Sequence, residues 1–256
     1  MAQGARREGG AREIARLADG AAMRALAGRV AVLPLGAIEQ HGPHLPVSTD
    51  AEIAAEIARR VCGTLGYALL PPLPYGTSLE HAPRLQVSLS GPTLRMAVRD
   101  IAASVADAGA RALVVINAHH GNMAHLARLP RSVRGHTGAA PARLATVNYW
   151  RHSGAELGHA GHTETSVMLA LGPVDMSRAR KGYTEPPSAT PRQRGRTARL
   201  AARSFLSVAP GGVWGDPRGA TRADGERLLA EFADGVASEC VRLFGGRRRP
   251  MSARRR

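Results

Sequence analysis

Three short stretches gather most of the side chains in this 256-residue sequence that could do chemistry. "LPLGAIEQHGPHLPVSTD" (33–50) carries Glu39, His41, His44 and Asp50; "NAHHGN" (117–122) carries His119 and His120; "HAGHTETS" (159–166) carries His159, His162 and Glu164. Taken together, Glu39, His41, Asp50, His119 and Glu164 form a mixed oxygen and imidazole set without a thiolate, suited to divalent zinc first, or to manganese or iron. Three carboxylates crowded without cations would repel or take up protons, and a pair of divalent ions removes that penalty. A dinuclear site is the economical reading. Asp50 is the candidate bridge, with a water between the ions acidified into a nucleophile. Taken singly, each signal is structural: Glu-x-His as surface or supporting groups, Asp50 as a helix cap, Glu164 as an ordinary helix start. Their joint placement reverses that reading.

The placement depends on the elements around them. "RVAVLPLG" (29–36) reads as a buried strand ending in a turn, and Ile53, Ile57, Val61 and Leu65 then recur at helical spacing, with Thr49 or Asp50 able to cap the helix. Strand and loop are expected at 67–76, helix at 93–109, strand at 111–117, helix at 121–135, strand at 142–150, helix at 163–171 and a last amphipathic helix at 222–244. Strands alternating with helices imply an α/β fold, a three-layer sandwich with a mainly parallel central sheet. Such sheets bind ligands beyond the carboxyl ends of their strands, and each of the three stretches follows a strand. Glu39 and His41, two apart, leave the same face of an extended chain, and Glu164 sits where a helix dipole favours a carboxylate. Glu80 and His81 in "GTSLEHAP" follow another strand end and either line the pocket or lie on an exposed loop. His44 and His120 suit hydrogen-bond support of the ligands, and Asn117 and Asn122 suit side-chain to backbone bonds that fix their loop. The organisation expected is a basic, flexible N-terminal segment with a helix (1–28), one domain (29–245) and a disordered arginine-rich tail (246–256). The basic, proline-rich stretch 178–209 reads as an excursion from the core.

The formal charge of +15 raises nucleic acid as a partner, but six arginines fall in the last ten residues and Lys181 is the only lysine. With aromatic residues at only 4%, stacking platforms for single strands are scarce, so a solvated tail is the preferred reading over a nucleic-acid site. No apolar run approaches the roughly eighteen residues of a membrane span and no signal-peptide core precedes the first strand, which points to a cytoplasmic protein without a membrane partner. Cys62 and Cys240 read as two buried thiols.

From about Val30 to Phe244 the chain resembles the creatininase family: the three stretches stand in the order of that family's motifs, and "GVWGDPRGATRADGERLL" (212–229) is similar to a C-terminal segment often found there. The resemblance implies two divalent metals and hydrolysis of C–N bonds in cyclic or linear amides, with a small amide or a peptide as substrate and a homo-oligomer, commonly a hexamer. It carries metal-ligand roles onto Glu39, His41, Asp50 (the bridge), His119 and Glu164, and a proton-shuttling catalytic role onto His159. Creatininase itself has a glutamate ligand where this chain has Gly121, so Glu164 is expected to complete the second metal and counts among the catalytic residues. Glu80, His81, His120, Trp150 and His162 are the substrate-binding candidates, Tyr149 being a further choice for an apolar wall. "HAGHTETS" is similar to the third motif of the mycofactocin-system peptidase, while "EHAPRLQVSLS" departs from the family's usual Glu-His-x-x-Phe-Pro-Gly-Thr. Two alternatives to a small-amide hydrolase therefore stand: a mycofactocin precursor peptide peptidase, and an inactive scaffold that binds polyanions.

Overall fold

A computed structural model describes residues 11–156 and 158–245, so the expected tail and the first ten residues lie outside the described part. The chain runs β1 (Arg12–Glu13), α1 (Asp19–Leu26), β2 (Val30–Leu35), α2 (Thr49–Leu65), β3 (Ala68–Leu69), α3 (Gly91–Asp107), β4 (Ala112–Asn117), α4 (Met123–Leu126), β5 (Ser132–Val133), β6 (Ala142–Asn148), α5 (His162–Leu171), α6 (Pro191–Ala201) and α7 (Arg222–Phe244). One sheet holds all six of these strands in the order β1-β3-β2-β4-β6-β5, parallel throughout except for β5, which pairs antiparallel with β6. Residues 12–13, expected in a flexible leader, are thus an edge strand of the sheet.

Alternation along the central strands builds the layers. Val30 and Val32 of β2, with Val114 and Ile116 of β4, face α2, α5 and α7 through Ile53, Ile57, Val167, Leu229 and Phe232. Ala31, Leu33 and Leu35, with Leu113 and Val115, face α3 through Leu94 and Val98. Strands buried on both faces read as continuous apolar runs, which is the form "VAVLPL" and "ALVVIN" take. The three-layer α/β sandwich expected from the sequence is the observed architecture. Among the described residues no helix is long and apolar enough to cross a membrane.

Two local expectations are corrected. The helix expected over 121–135 shortens to a 3-10 turn (His120–Asn122) and the single turn of α4, because Pro130 cannot continue it, and the chain passes into β5. Asp50 does not cap α2: it lies in the first turn with its carboxylate drawn toward His41 and His119, while Thr49 Oγ1 donates to Pro46 O at 2.7 Å. The stretch 178–209 leaves the sheet, forms α6 behind a capping box at Thr190, and then returns to set Phe205 among the histidines of the central cluster.

Candidate metal centre

The carboxyl ends of β2, β4 and β6 bring the three stretches to one place. Asp50, carried on α2, stands between two imidazoles: its Oδ1 lies 3.3 Å from His41 Nε2 and its Oδ2 3.0 Å from His119 Nδ1. Glu39 Oε2 lies 3.3 Å from His119 Nδ1, and Glu164 Oε2 3.9 Å from His41 Nε2. Two groupings able to hold a cation follow, Glu39–Asp50–His119 and His41–His159–Glu164, each with its ligand atoms within 4.8 Å of one another. A third, Glu39–His81–His159, adjoins them.

The surroundings leave these atoms free on the inner side. His41 Nδ1 donates to Glu39 O at 3.2 Å and His119 Nε2 donates to Thr77 O at 2.8 Å, so each ring turns its other nitrogen toward the cluster, where it becomes a metal-ligating lone pair once its proton is lost. Glu164 Oε2 accepts the Ala160 N–H at 2.6 Å, a bond made possible by the left-handed backbone of Ala160 at φ 51°. Asn122 ties three segments together, donating to Gly36 O at 3.1 Å and to Asn117 Oδ1 at 3.1 Å and accepting the Thr77 N–H at 2.9 Å. Gly36 leaves no space for a side chain, since a Cβ there would meet Ala51 N at 2.4 Å.

Glu39, His41, Asp50, His119 and Glu164 are all buried. Both Glu39 carboxylate oxygens, His41 Nε2 and Asp50 Oδ2 nevertheless have no hydrogen-bond partner. Buried polar atoms left in this state are costly, and a divalent cation in each grouping satisfies them at once, so the donor set fits metal.

Titration follows the same crowding. Burial lifts the Glu39 carboxyl, against the pull of His119, to about 8, and lifts Glu164, against His41, to about 7. Burial works against the imidazolium of His41, but Asp50, Glu164 and Glu39 outweigh it and raise the ring to about 9; His119 is raised in the same way, by Glu39, Asp50 and Glu80, to about 10. Burial also opposes ionisation of Asp50, yet its two flanking histidines hold it well below the usual carboxylate range. His159 and His81 go the other way. Burial first, then the neighbouring imidazoles, lowers His81 to about 3 and His159 well below its ordinary value, so both are neutral.

The other candidates spread over the site and beyond it. His159 stacks on His41 with ring centres 4.2 Å apart, its Nε2 donating to Gln40 O at 2.8 Å and its Nδ1 3.7 Å from Glu39 Oε1. His81 Nε2 lies 3.2 Å from Glu39 Oε1, and Glu80 Oε1 3.8 Å from the outer nitrogen of His119. His44 stands behind the cluster, 2.9 Å from Thr165 Oγ1. His120 and Trp150 face each other near the surface at 6.2 Å, whereas Tyr149 is buried against Phe232 in the core. His162 does not join them. Its side chain is 46% exposed and lies 3.6 Å from Asp224, because residues two apart in a helix point to nearly opposite sides and Glu164 takes the inward one. Sequence reasoning passed over Gln40, whose position between two ligand candidates was the available signal. It also passed over Phe205, stacked on His81 at 4.6 Å, which no motif announces.

Comparison with known proteins assigns the family. Residues 18–240 match the family model described as "Creatininase: Creatinine amidohydrolase". The chain belongs to the creatininase family. The mycofactocin precursor peptide peptidase of Mycobacterium tuberculosis (strain ATCC 25618 / H37Rv) is 37% identical to this member over 225 residues, 82% of each chain. The creatinine amidohydrolase of Pseudomonas putida is 30% identical over 239 residues, 81% of this chain and 87% of the other. A solved structure, "Creatininase Mn", superposes with a TM-score of 0.72 at 26% identity, covering 91% of this chain and 99% of that one. This creatininase-family chain is an amidohydrolase, a hydrolase of amide or peptide C–N bonds, with side-chain clusters fit to bind metal.

Proposed function

We propose that the chain is a two-metal amidohydrolase, with Glu39, Asp50 and His119 holding one divalent ion, His41, Asp50 and Glu164 the other, and zinc the preferred metal. The observation that carries this is Asp50, a buried carboxylate whose two oxygens each face a different imidazole, one oxygen having no hydrogen-bond partner. Bound divalent ions supply Lewis acidity and bring water near its deprotonated form at neutral pH. The chain's own residues supply the rest. His159 is neutral, its Nε2 is committed to Gln40 O, and its Nδ1 faces the site, so Nδ1 takes the proton of the attacking water and passes it to the departing nitrogen. Glu80, His120 and Trp150 line the approach and contact the substrate, while His81, buried behind them, acts through Glu39. The same reading carries a homo-oligomer, a hexamer by family resemblance, in the cytoplasm.

The substrate is an amide, cyclic or linear. A peptide substrate is the second reading, favoured by the higher identity to the mycobacterial peptidase than to the creatinine amidohydrolase. Elemental analysis of the purified protein, wild type against Asp50→Ala, tests the proposal. Two divalent ions per wild-type chain are expected, with loss of metal and at least a thousandfold loss of amide hydrolysis in the variant, on the order expected for a metal-dependent nucleophile. Stoichiometric metal or full activity without Asp50 sinks it. Parallel assays with creatinine and with a mycofactocin-type precursor peptide separate the two substrate readings.

A further inference from the structure

One line of polar contacts leads away from the cluster and ends on the backbone. It starts at Gln40, a buried residue set between Glu39 and His41. Gln40 Oε1 accepts the Gly42 N–H at 3.0 Å, which fixes the orientation of the amide and leaves its nitrogen facing the imidazoles. That nitrogen lies 2.9 Å from His81 Nδ1, and an amide nitrogen can only donate. His81 Nδ1 must therefore be the bare nitrogen, and the neutral ring carries its proton on Nε2.

The competing acceptor is excluded by its own bond. His159 Nε2 lies 3.1 Å from the same amide nitrogen but 2.8 Å from the backbone oxygen of Gln40, a contact it can satisfy only by donating. The Phe205 ring, stacked on His81 at 24°, holds the plane of that imidazole. Space for the Gln40 amide comes from Gly212, at φ +76°, where a Cβ would come within 2.0 Å of Gln40 Oε1. The protonated Nε2 of His81 then lies 3.2 Å from Glu39 Oε1, a contact whose sign the proton decides. With the proton there the contact is attractive. With a lone pair there it repels the carboxylate.

We propose that Gln40 is a positioning residue that holds His81 as its Nε2–H tautomer, so that His81 occupies Glu39 Oε1 and leaves Oε2 for the cation shared with Asp50 and His119. The inference rests on Glu39 being a metal ligand, as argued above. Supports of this kind, acting through a ligand, typically change metal affinity by about 10- to 100-fold.

The tautomer is read directly by 15N NMR of the histidine rings in the zinc-loaded protein. In wild type, His81 is expected to carry its proton on Nε2. Gln40→Glu puts an acceptor where the donor was and should move the proton to Nδ1, with chelator competition showing about 10- to 100-fold weaker binding of one ion per chain. Gln40→Leu should weaken the same ion. His81→Gln keeps a donor near Glu39 without a tautomer to choose, so adding Gln40→Leu to it should cost little further affinity. A wild-type His81 protonated on Nδ1 overturns the proposal, as does a folded Gln40→Glu protein with unchanged tautomer and affinity. The wild-type spectrum decides even if a variant does not fold. A wild-type protein that binds no divalent ion defeats the metal reading instead, so the two failures are distinguishable.

Discussion

Loading the metal-free protein with zinc should release protons in a number fixed by the cluster. Ligation needs His41 and His119 neutral and Glu39 and Glu164 ionised. Without metal these groups hold protons up to about 9, 10, 8 and 7 respectively. All four values are raised, so protons compete with metal on the acid side and affinity rises with pH. At about pH 7.5 the two histidines each give up one proton, Glu39 most of one and Glu164 a minority share, about three from the side chains for two ions, to which an activated water adds up to one more. Asp50, already ionised, contributes none. The overall binding constant should therefore change by about three to four orders of magnitude per pH unit there, and the side chains' share of the dependence should fade above about pH 10 as His119 titrates. Calorimetry in buffers of different ionisation enthalpy measures the release as a slope. A release near zero at about pH 7.5, or one that grows toward higher pH, refutes the reasoning.

Two further substitutions probe the scaffold under the site. Asn122→Ala removes the partner of the Thr77 N–H and of Gly36 O, both buried, and should cost about 2–4 kcal/mol in urea unfolding; a loss below about 0.5 kcal/mol counts against it. Gly36→Ala puts a Cβ 2.4 Å from Ala51 N, and since backbone cannot swing aside, α2 must shift and carry Asp50 with it. A loss of about 1–3 kcal/mol is expected together with weaker metal binding, and an unchanged melting temperature and metal content would speak against this account.

The candidate set was legible because its residue types are unusual at strand ends and because strands and helices alternate plainly. Glu39, His41, Asp50, His119 and Glu164 could be gathered from the sequence for that reason, and the structure brings them together. His162 was misplaced because helical phase, invisible until the first residue of α5 is fixed, turns it toward Asp224. Helix was overextended past Leu126 because an apolar pattern outlasted what Pro130 allows. Phe205 was out of reach: it comes to His81 and His159 from a basic stretch whose composition says surface, and only tertiary contact reveals its role.

The spacing of the ligands along the chain bears on how the protein reaches its native state. Glu39 and Glu164 are about 125 residues apart, and the groups between them ride on a loop, a helix and a second loop, each docked on a different part of the sheet. A metal held by near neighbours in sequence can organise a small domain around itself, but here no two or three adjacent ligands make a grouping alone. Contacts of such long range form only after the parallel strands have paired. Metal capture is thus expected to be a late event in folding, and its rate a report on completed assembly of the sheet.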